Sequence, residues 1–273
     1  MLGASRTSQK QLAERLEAIY DDPTQTDFLG DAGTGVLTVV SATDSERTLR
    51  TLWADTATPR QVKDGVLAQV FGERVPQLSR DVVSEVINSR WSSPGDMSEA
   101  LEAAGEELLF MSAEKTGRLD QVEEELFRFG RSLDASPQLQ MALTDPATSA
   151  EVKTGIVEDL VDGKADPITS ELLVYLAGHL RGRRMSTAIK QASALAAVRR
   201  NRIVAEVRSA AALDESQKQR LAAALSGIRG RDVLVNVTVD PTVVGGIEVR
   251  IGDELIDGTL SNRIEQARRR LTS

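Results

Sequence analysis

The segment from residue 233 onward is the part of the chain whose possible folds are most restricted, because apolar and polar residues alternate there with period two. Residues 233–239 carry valine at every second position, and residues 247–251 repeat the alternation with Glu248 and Arg250 on the other face. Gly245-Gly246 precedes the second run, and a glycine pair permits a positive φ or a close backbone approach that a Cβ would forbid. The segment therefore predicts strands with one buried face.

Turn residues and a basic helix complete this segment. Gly252-Asp253 separates the second run from a short strand at residues 255–256, which predicts a hairpin. Asp257-Gly258-Thr259 then turns the chain towards a final helix, for which Ser261 is a suitable N-cap. Strand, turn and capped helix follow one another without a break and predict a small folding unit.

These residues also form a recognisable motif: Val-Asp-Pro, Gly-Gly, Arg-Ile-Gly-Asp and Ile-Asp-Gly, followed by an Arg-rich helix. In this order and spacing the segment resembles the delta subunit family of bacterial ATP synthases, called the oligomycin-sensitivity-conferring protein (OSCP) in mitochondria. Thr259 stands where the family usually has serine, which keeps the hydroxyl. The resemblance implies a structural role for the motif residues Asp240, Pro241, Gly245, Gly246, Arg250, Gly252, Asp253, Asp257 and Gly258.

The rest of the chain has the apolar periodicity of helices. It predicts helices at residues 7–20, 27–42, 45–54, 60–72, 78–91, 97–116, 119–133, 137–143, 149–161, 169–181 and 185–200. Strand patterns are concentrated after Ile203. The predicted fold is mainly α with a small α/β C-terminal domain: two successive helical-bundle repeats, then a mixed β-sheet domain with flanking helices.

The helical region contains an internal repeat. Residues 55–67 and 145–157 are identical at six of thirteen positions without a gap, at an offset of 90 residues. We therefore predict an extra helical copy at residues 1–96, a second copy at 97–202 and the C-terminal domain at 203–273. The resemblance implies that the second copy is equivalent to the family's N-terminal domain, and the first resembles the extra domain of actinobacterial members.

Composition excludes several classes of function. The chain has no cysteine and one histidine, His179, so it offers no thiol nucleophile, and no multi-histidine metal site is expected. It also has no phosphate-binding Gly-x-x-x-x-Gly-Lys-Ser/Thr loop. We predict no catalytic residue, metal or cofactor.

Charge and hydropathy limit the partners. A net charge of -8 argues against nucleic-acid binding, and the Arg181-Gly182-Arg183-Arg184, Arg199-Arg200 and Arg268-Arg269-Arg270 groups are interpreted as solvated helix faces or ends. No apolar run approaches the roughly 20 residues needed to span a bilayer, so no direct membrane insertion is expected.

The family resemblance implies a binding function. In the family, the N-terminal helix of an alpha subunit lies in a groove between the first and fifth helices of the helical domain. Carried over to the second copy, that groove would be lined by Leu101, Gly105, Leu108, Leu109, Ser112, Leu172, Leu173, Tyr175 and Leu176. Spacing alone does not separate groove residues from bundle core.

The implied role is that of a peripheral-stalk subunit on the cytoplasmic face of the cell membrane. It would join the alpha subunits of the catalytic head to a b-type stalk subunit, which the C-terminal domain meets, and would resist the torque of the rotor. Two alternatives are a helical adaptor of another assembly and a small enzyme with carboxylates in a cleft between domains. No residue spacing in the sequence supports the enzyme.

Overall fold

The computed structural model describes residues 3–200, 203–229, 233–243, 245–251 and 254–257. The chain divides into two compact units, residues 1–200 and 201–273. The first is helical and the second is a small sheet with a helix, which confirms the predicted fold class. Both predicted helical copies lie in the first unit.

The helical unit follows the predicted pattern closely. Its α-helices are α1 Gly3–Asp21, α2 Leu29–Ser45, α3 Arg47–Ala54, α4 Arg60–Phe71, α5 Gln77–Asn88, α6 Pro94–Lys115, α7 Leu119–Asp134, α8 Pro137–Thr144, α9 Ala150–Val161, α10 Pro167–Gly178 and α11 Met185–Arg200. Short 3₁₀ helices occupy Thr26–Phe28 and Gly72–Arg74. Within the described ranges, no helix combines the length and apolar character needed to cross a bilayer.

Local capping chemistry sets several helix starts. The Ser93 side chain accepts a hydrogen bond from the Asp96 amide at 3.1 Å, with Pro94 at the first helical position of α6. Asp166 caps α10 in the same way, accepting from the Ile168 amide at 2.9 Å. These caps satisfy amide groups that have no partner within their own helix.

The 90-residue offset recurs in the helix boundaries. Helices α3, α4 and α5 have the same lengths as α8, α9 and α10, and each begins 90 residues earlier. The turn after α3 is repeated as well: Asp55 Oδ1 accepts from the Ala57 amide at 2.9 Å, and Asp145 Oδ1 accepts from the Ala147 amide at 2.8 Å. The repeated sequence thus folds twice into the same helix, turn and helix.

Helix α6 belongs to both repeats. It follows α5 as α11 follows α10, and it precedes α7 as α1 precedes α2. It packs along α2, just as α11 packs along α7. Its side chains Leu101, Leu108, Leu109, Phe110 and Met111 are all fully buried. The two repeats are therefore joined into one compact unit around a shared helix.

The second unit contains strands β1 Ile203–Ser209, β2 Val233–Val239, β3 Ile247–Ile251 and β4 Glu254–Asp257, with helix α12 Glu215–Arg229 between β1 and β2. Its described strands form a sheet of order β2-β1-β3-β4, in which only β1 and β2 are parallel. Helix α12 connects the two parallel strands, which is the usual way to join such neighbours.

The core of the second unit lies between this helix and the sheet. Val207 of β1, Val233 of β2 and Val249 of β3 are buried with Leu225 of α12. On the valine face predicted for residues 233–239, which form β2, Val233 is buried, Val235 and Val237 are partly buried, and Val239 is exposed. The predicted final helix after residue 258 lies outside the described residues.

Candidate functional site

The predicted groove residues lie on α6 and α10, two helices that contact each other at what we call the α6–α10 seam. Leu101, Leu108 and Leu109 of α6 are fully buried, as are Leu172 and Leu176 of α10. Leu173 and Tyr175 are also buried. These apolar side chains are therefore not open to solvent.

Helix α2 covers this seam, and small residues permit a close approach. A Cβ at Gly33 would lie 2.9 Å from the carbonyl oxygen of Gly105 and 2.9 Å from Cγ of Leu109. A Cβ at Gly105 would lie 2.6 Å from Cδ2 of Leu37. Further along, Gly30 faces Ser112. The glycines therefore let the α2 and α6 backbones pack at a distance that larger residues would not allow.

We expect Gly33→Ala to lower the free energy of unfolding of the helical unit by about 1–3 kcal/mol, because the added methyl group meets backbone atoms and cannot be accommodated by a rotamer change. Urea unfolding followed by tryptophan fluorescence measures this, since Trp53 and Trp91 both lie in that unit.

Gly65→Ala is the matched control for Gly33→Ala. Gly65 lies within α4, and a Cβ there would meet nothing within 4 Å. This substitution should stabilise the helix by about 0.5–1 kcal/mol. Equal effects of the two alanines would contradict the close packing of α2 on α6.

Polar side chains of α2 also lie near α10 and the turn that follows it. Glu171 of α10 lies near Thr34 of α2, and burial raises the pKa of that carboxyl group. At the other end of α2, Asp44 lies 3.5 Å from Nε of Arg181, in the turn after α10. Arg181 has a φ of 49°, a conformation uncommon for a residue other than glycine. Helix α2 therefore lies beside α6 and also near α10 and the turn that follows it.

Two arginines of this turn also form ion pairs with a buried glutamate of α6. Glu102 of α6 pairs with Arg181 and lies 2.8 Å from Nη2 of Arg183. Glu106, one helical turn further along α6, is only 4% exposed. Burial, reinforced by the negative charge of Glu102, raises the pKa of Glu106 to about 8. Glu106 is therefore largely uncharged at neutral pH.

A second buried network joins the repeats around Arg199 of α11, which is 2% exposed. Its guanidinium lies 2.7 Å from Glu107 and 2.5 Å from Glu114 of α6, and 3.4 Å from Glu17 of α1. It also lies over the Tyr20 ring at 4.3 Å from the centroid. Arg199 thus connects helices that are far apart in sequence.

The interpretation of the arginine groups as solvated is therefore wrong for Arg181, Arg183 and Arg199. These side chains are ion-paired and mostly buried, whereas Arg200 is half exposed and pairs with Glu123. A sequence shows the charges on a helix but not the carboxylates that folding places opposite them. The Arg268-Arg269-Arg270 group lies outside the described residues.

In the second unit, Asp240 organises the turn after β2. Its Oδ1 accepts from the amide and hydroxyl of Thr242 at 2.8 and 2.6 Å, and Oδ2 accepts from Nε of Arg208 at 3.1 Å. Hydrogen bonds from Thr242, then from Arg208, lower the pKa of Asp240 to about 2. Pro241, which follows, is exposed within this turn. Asp240 therefore remains an acceptor throughout the neutral range.

The structure also describes Gly245, Gly246, Arg250 and Asp257 of the motif. Gly245 and Gly246 have φ values of 66° and 82°, which L side chains rarely adopt. Arg250 is exposed on β3, and the backbone of Asp257 pairs with Glu248 across β3 and β4. Gly252, Asp253 and Gly258 lie outside the described residues.

Comparisons with known proteins identify the family of the chain. The sequence profile of the OSCP family, described as ATP synthase delta (OSCP) subunit, matches residues 107–271, which is more than half of the chain and reaches into both units. ATP synthase subunit delta of Streptomyces griseus is 39% identical over 99% of both chains. The protein of the same name from Nocardia farcinica is 39% identical over 99% of this chain and 100% of its own.

The profile begins within α6, whereas these two relatives match across almost the whole chain. The region before α6 is therefore an addition to the family profile that these actinobacterial relatives share. The chain belongs to the ATP synthase delta (OSCP) subunit family and is a non-catalytic subunit of that complex.

Proposed function

We propose that the chain is a peripheral-stalk subunit that joins the alpha subunits of the catalytic head to the b-type stalk and resists rotor torque. The observation that carries this proposal is the family match, which extends through α7–α11 and the small sheet unit. Two separate compact units suit a connector, since each can bind a different partner. In this role the chain lies on the cytoplasmic face of the membrane without entering it.

The helical unit is the part that meets the alpha subunits. Its α6–α10 seam is the first candidate for the contact, with Leu101, Gly105, Leu108, Leu109, Leu172, Leu173, Tyr175 and Leu176 as lining residues. These residues are apolar or small and all are buried, and α2 packs on the surface at Gly105 and Leu109. Because the helix is the chain's own α2, a partner helix at the seam would have to displace it.

The second unit is the part that meets the b-type stalk. Its turns are fixed by Asp240 and by the two left-handed glycines, so it presents a defined surface. Exposed apolar side chains on its described part include Ile228, Val239 and Leu255. Such side chains are suited to a contact with the apolar stripe of a stalk helix.

Resistance to torque requires a stiff connector. The helical unit has a continuous apolar core, and the Arg181 and Arg199 networks tie its two repeats together. Buried ion pairs of this kind hold elements in one relative position, since separating them exposes uncompensated charges. The repeats should therefore move as one body under load.

Affinity purification of the tagged full-length chain from native membranes tests the function. We expect the alpha and b-type subunits to be recovered at fixed stoichiometry with it. Recovery of a different set of stoichiometric partners, with neither subunit present, would instead support a helical adaptor of another assembly.

The same purification can test which unit binds which partner. Gly246→Val forces a β-branched residue into a left-handed conformation and should disrupt the second unit. We expect loss of the b-type subunit with retention of alpha. Gly227→Ala in α12 is the control, because a Cβ there meets nothing within 4 Å. Loss of the alpha subunit with retention of the b-type subunit would mean that the second unit binds the alpha subunit.

A further inference from the structure

The first repeat contains an open cleft between α1 and α5. Its volume is about 470 Å³, and its lining includes Ala18 and Ile19 of α1 and Leu78 and Asp81 of α5. Phe28 also lines it and is 54% exposed, which is high for a large aromatic side chain. The cleft therefore offers uncovered apolar surface within the helical unit.

This cleft corresponds to the α6–α10 seam of the second repeat. Helix α5 has the same length as α10 and begins 90 residues earlier, so Leu78 corresponds to Ile168 and Asp81 to Glu171. Helix α1 precedes α2 as α6 precedes α7. The α1–α5 cleft and the α6–α10 seam thus lie between corresponding helices of the two repeats.

The two copies differ in what covers them. In the second repeat, Glu171 lies near Thr34 of α2, and α2 packs closely on the α6 side of the seam. In the first repeat its counterpart Asp81 lines an open cleft and is exposed. A surface of this kind therefore accepts a helix with small residues on its packing face in the second repeat, whereas no described helix covers the α1–α5 cleft of the first.

We infer that α2 is a built-in occupant of the α6–α10 seam and that a partner helix docks in the α1–α5 cleft instead. The identity of that partner, an alpha subunit, rests on the proposed function. The complementary helix is amphipathic with small apolar residues on one side, as α2 is at Gly30 and Gly33. A basic residue beside these small residues would suit the cleft, because the cleft lining carries two acidic side chains, Asp22 and Asp81, and one basic side chain, Arg15.

A reversible cross-link tests whether α2 stays in place during binding. A Cβ at residue 30 would lie 3.7 Å from Cβ of Ser112, within the range of about 3.5–4.5 Å found in disulfides. The chain has no cysteine of its own, so Gly30→Cys with Ser112→Cys gives one defined bond between α2 and α6. Calorimetry with the recombinant alpha subunit should give the same affinity in the oxidised and reduced forms. Loss of binding on oxidation, reversed by reduction, would overturn the inference.

Blocking the cleft is the second test. Ala18 is exposed on α1 and lines the cleft, so Ala18→Arg fills it without entering the core. We expect the affinity for the alpha subunit to fall at least tenfold. Ala13→Arg is the matched control, because Ala13 is exposed on the same helix but is not among the cleft-lining residues. Wild-type affinity for both variants would overturn the inference.

The outcomes separate this inference from the proposed function. If the wild-type chain binds the alpha subunit and Ala18→Arg binds equally well, the cleft is not the site but the stalk function stands. If the wild-type chain does not bind the alpha subunit at all, the proposed function fails and the inferred partner fails with it.

Discussion

Replacement of Arg199 with methionine should lower the free energy of unfolding of the helical unit by about 3–5 kcal/mol, the usual loss when one partner of a buried ion network is removed. Methionine fills much of the same volume but leaves Glu107, Glu114 and Glu17 without the positive charge that they share. It also removes the cation over the Tyr20 ring. Urea unfolding followed by tryptophan fluorescence measures the loss in the helical unit.

The neighbouring residue provides the control. Arg200 pairs with Glu123 at 2.8 Å, but its side chain is half exposed. Arg200→Met should therefore change the free energy of unfolding by no more than about 1 kcal/mol. Similar losses for the two methionine variants would mean that the Arg199 network does not join the repeats.

Replacement of Glu106 with glutamine should change how stability depends on pH. The folded-state pKa of Glu106 is raised to about 8 from the ordinary value of 4.5, so its protonation stabilises the fold fully below pH 4.5. That contribution is lost as pH rises through 8, because the unfolded chain releases the proton first. Since one pKa unit corresponds to about 1.4 kcal/mol, the loss amounts to a few kcal/mol.

Glutamine cannot ionise, so Glu106→Gln should gain stability relative to wild type as pH rises from about 5 to 8. Unfolding free energies of both proteins at several pH values measure this difference. Glu99→Gln, at an exposed position on the same helix, should run parallel to wild type. A constant difference between Glu106→Gln and wild type would show that Glu106 is already ionised in the folded chain, in spite of the nearby Glu102.

The sequence predicted the candidate site only in part. The family resemblance assigned leucines of α6 and α10 to an apolar groove, and the structure buries these side chains. The helix that covers them was not predicted, because periodicity shows that a face is buried but not which element buries it. A signal was present in α2, where Gly30, Gly33 and Gly35 lie close together in a helix, since glycines inside a helix often mark a close approach.

No comparable signal in the sequence showed which of two adjacent arginines would be buried. Arg199 and Arg200 are adjacent and chemically identical, yet one is buried among three carboxylates and the other is half solvated. Successive residues on a helix point about 100° apart, so the direction of α11 relative to α1 and α6 decides which arginine is enclosed. That direction is a tertiary property.

The sequence alone determined the helices of the first unit, the strands of the second, the backbone freedom of the glycine pair and the 90-residue repeat. These depend on local periodicity, capping and backbone conformation, which neighbouring residues specify. Only the tertiary structure decided that α6 serves both repeats, that α2 fills one seam and that the α1–α5 cleft stays open. Those outcomes depend on contacts between residues far apart in the chain, where packing and charge pairing select one arrangement from several that the same helices allow.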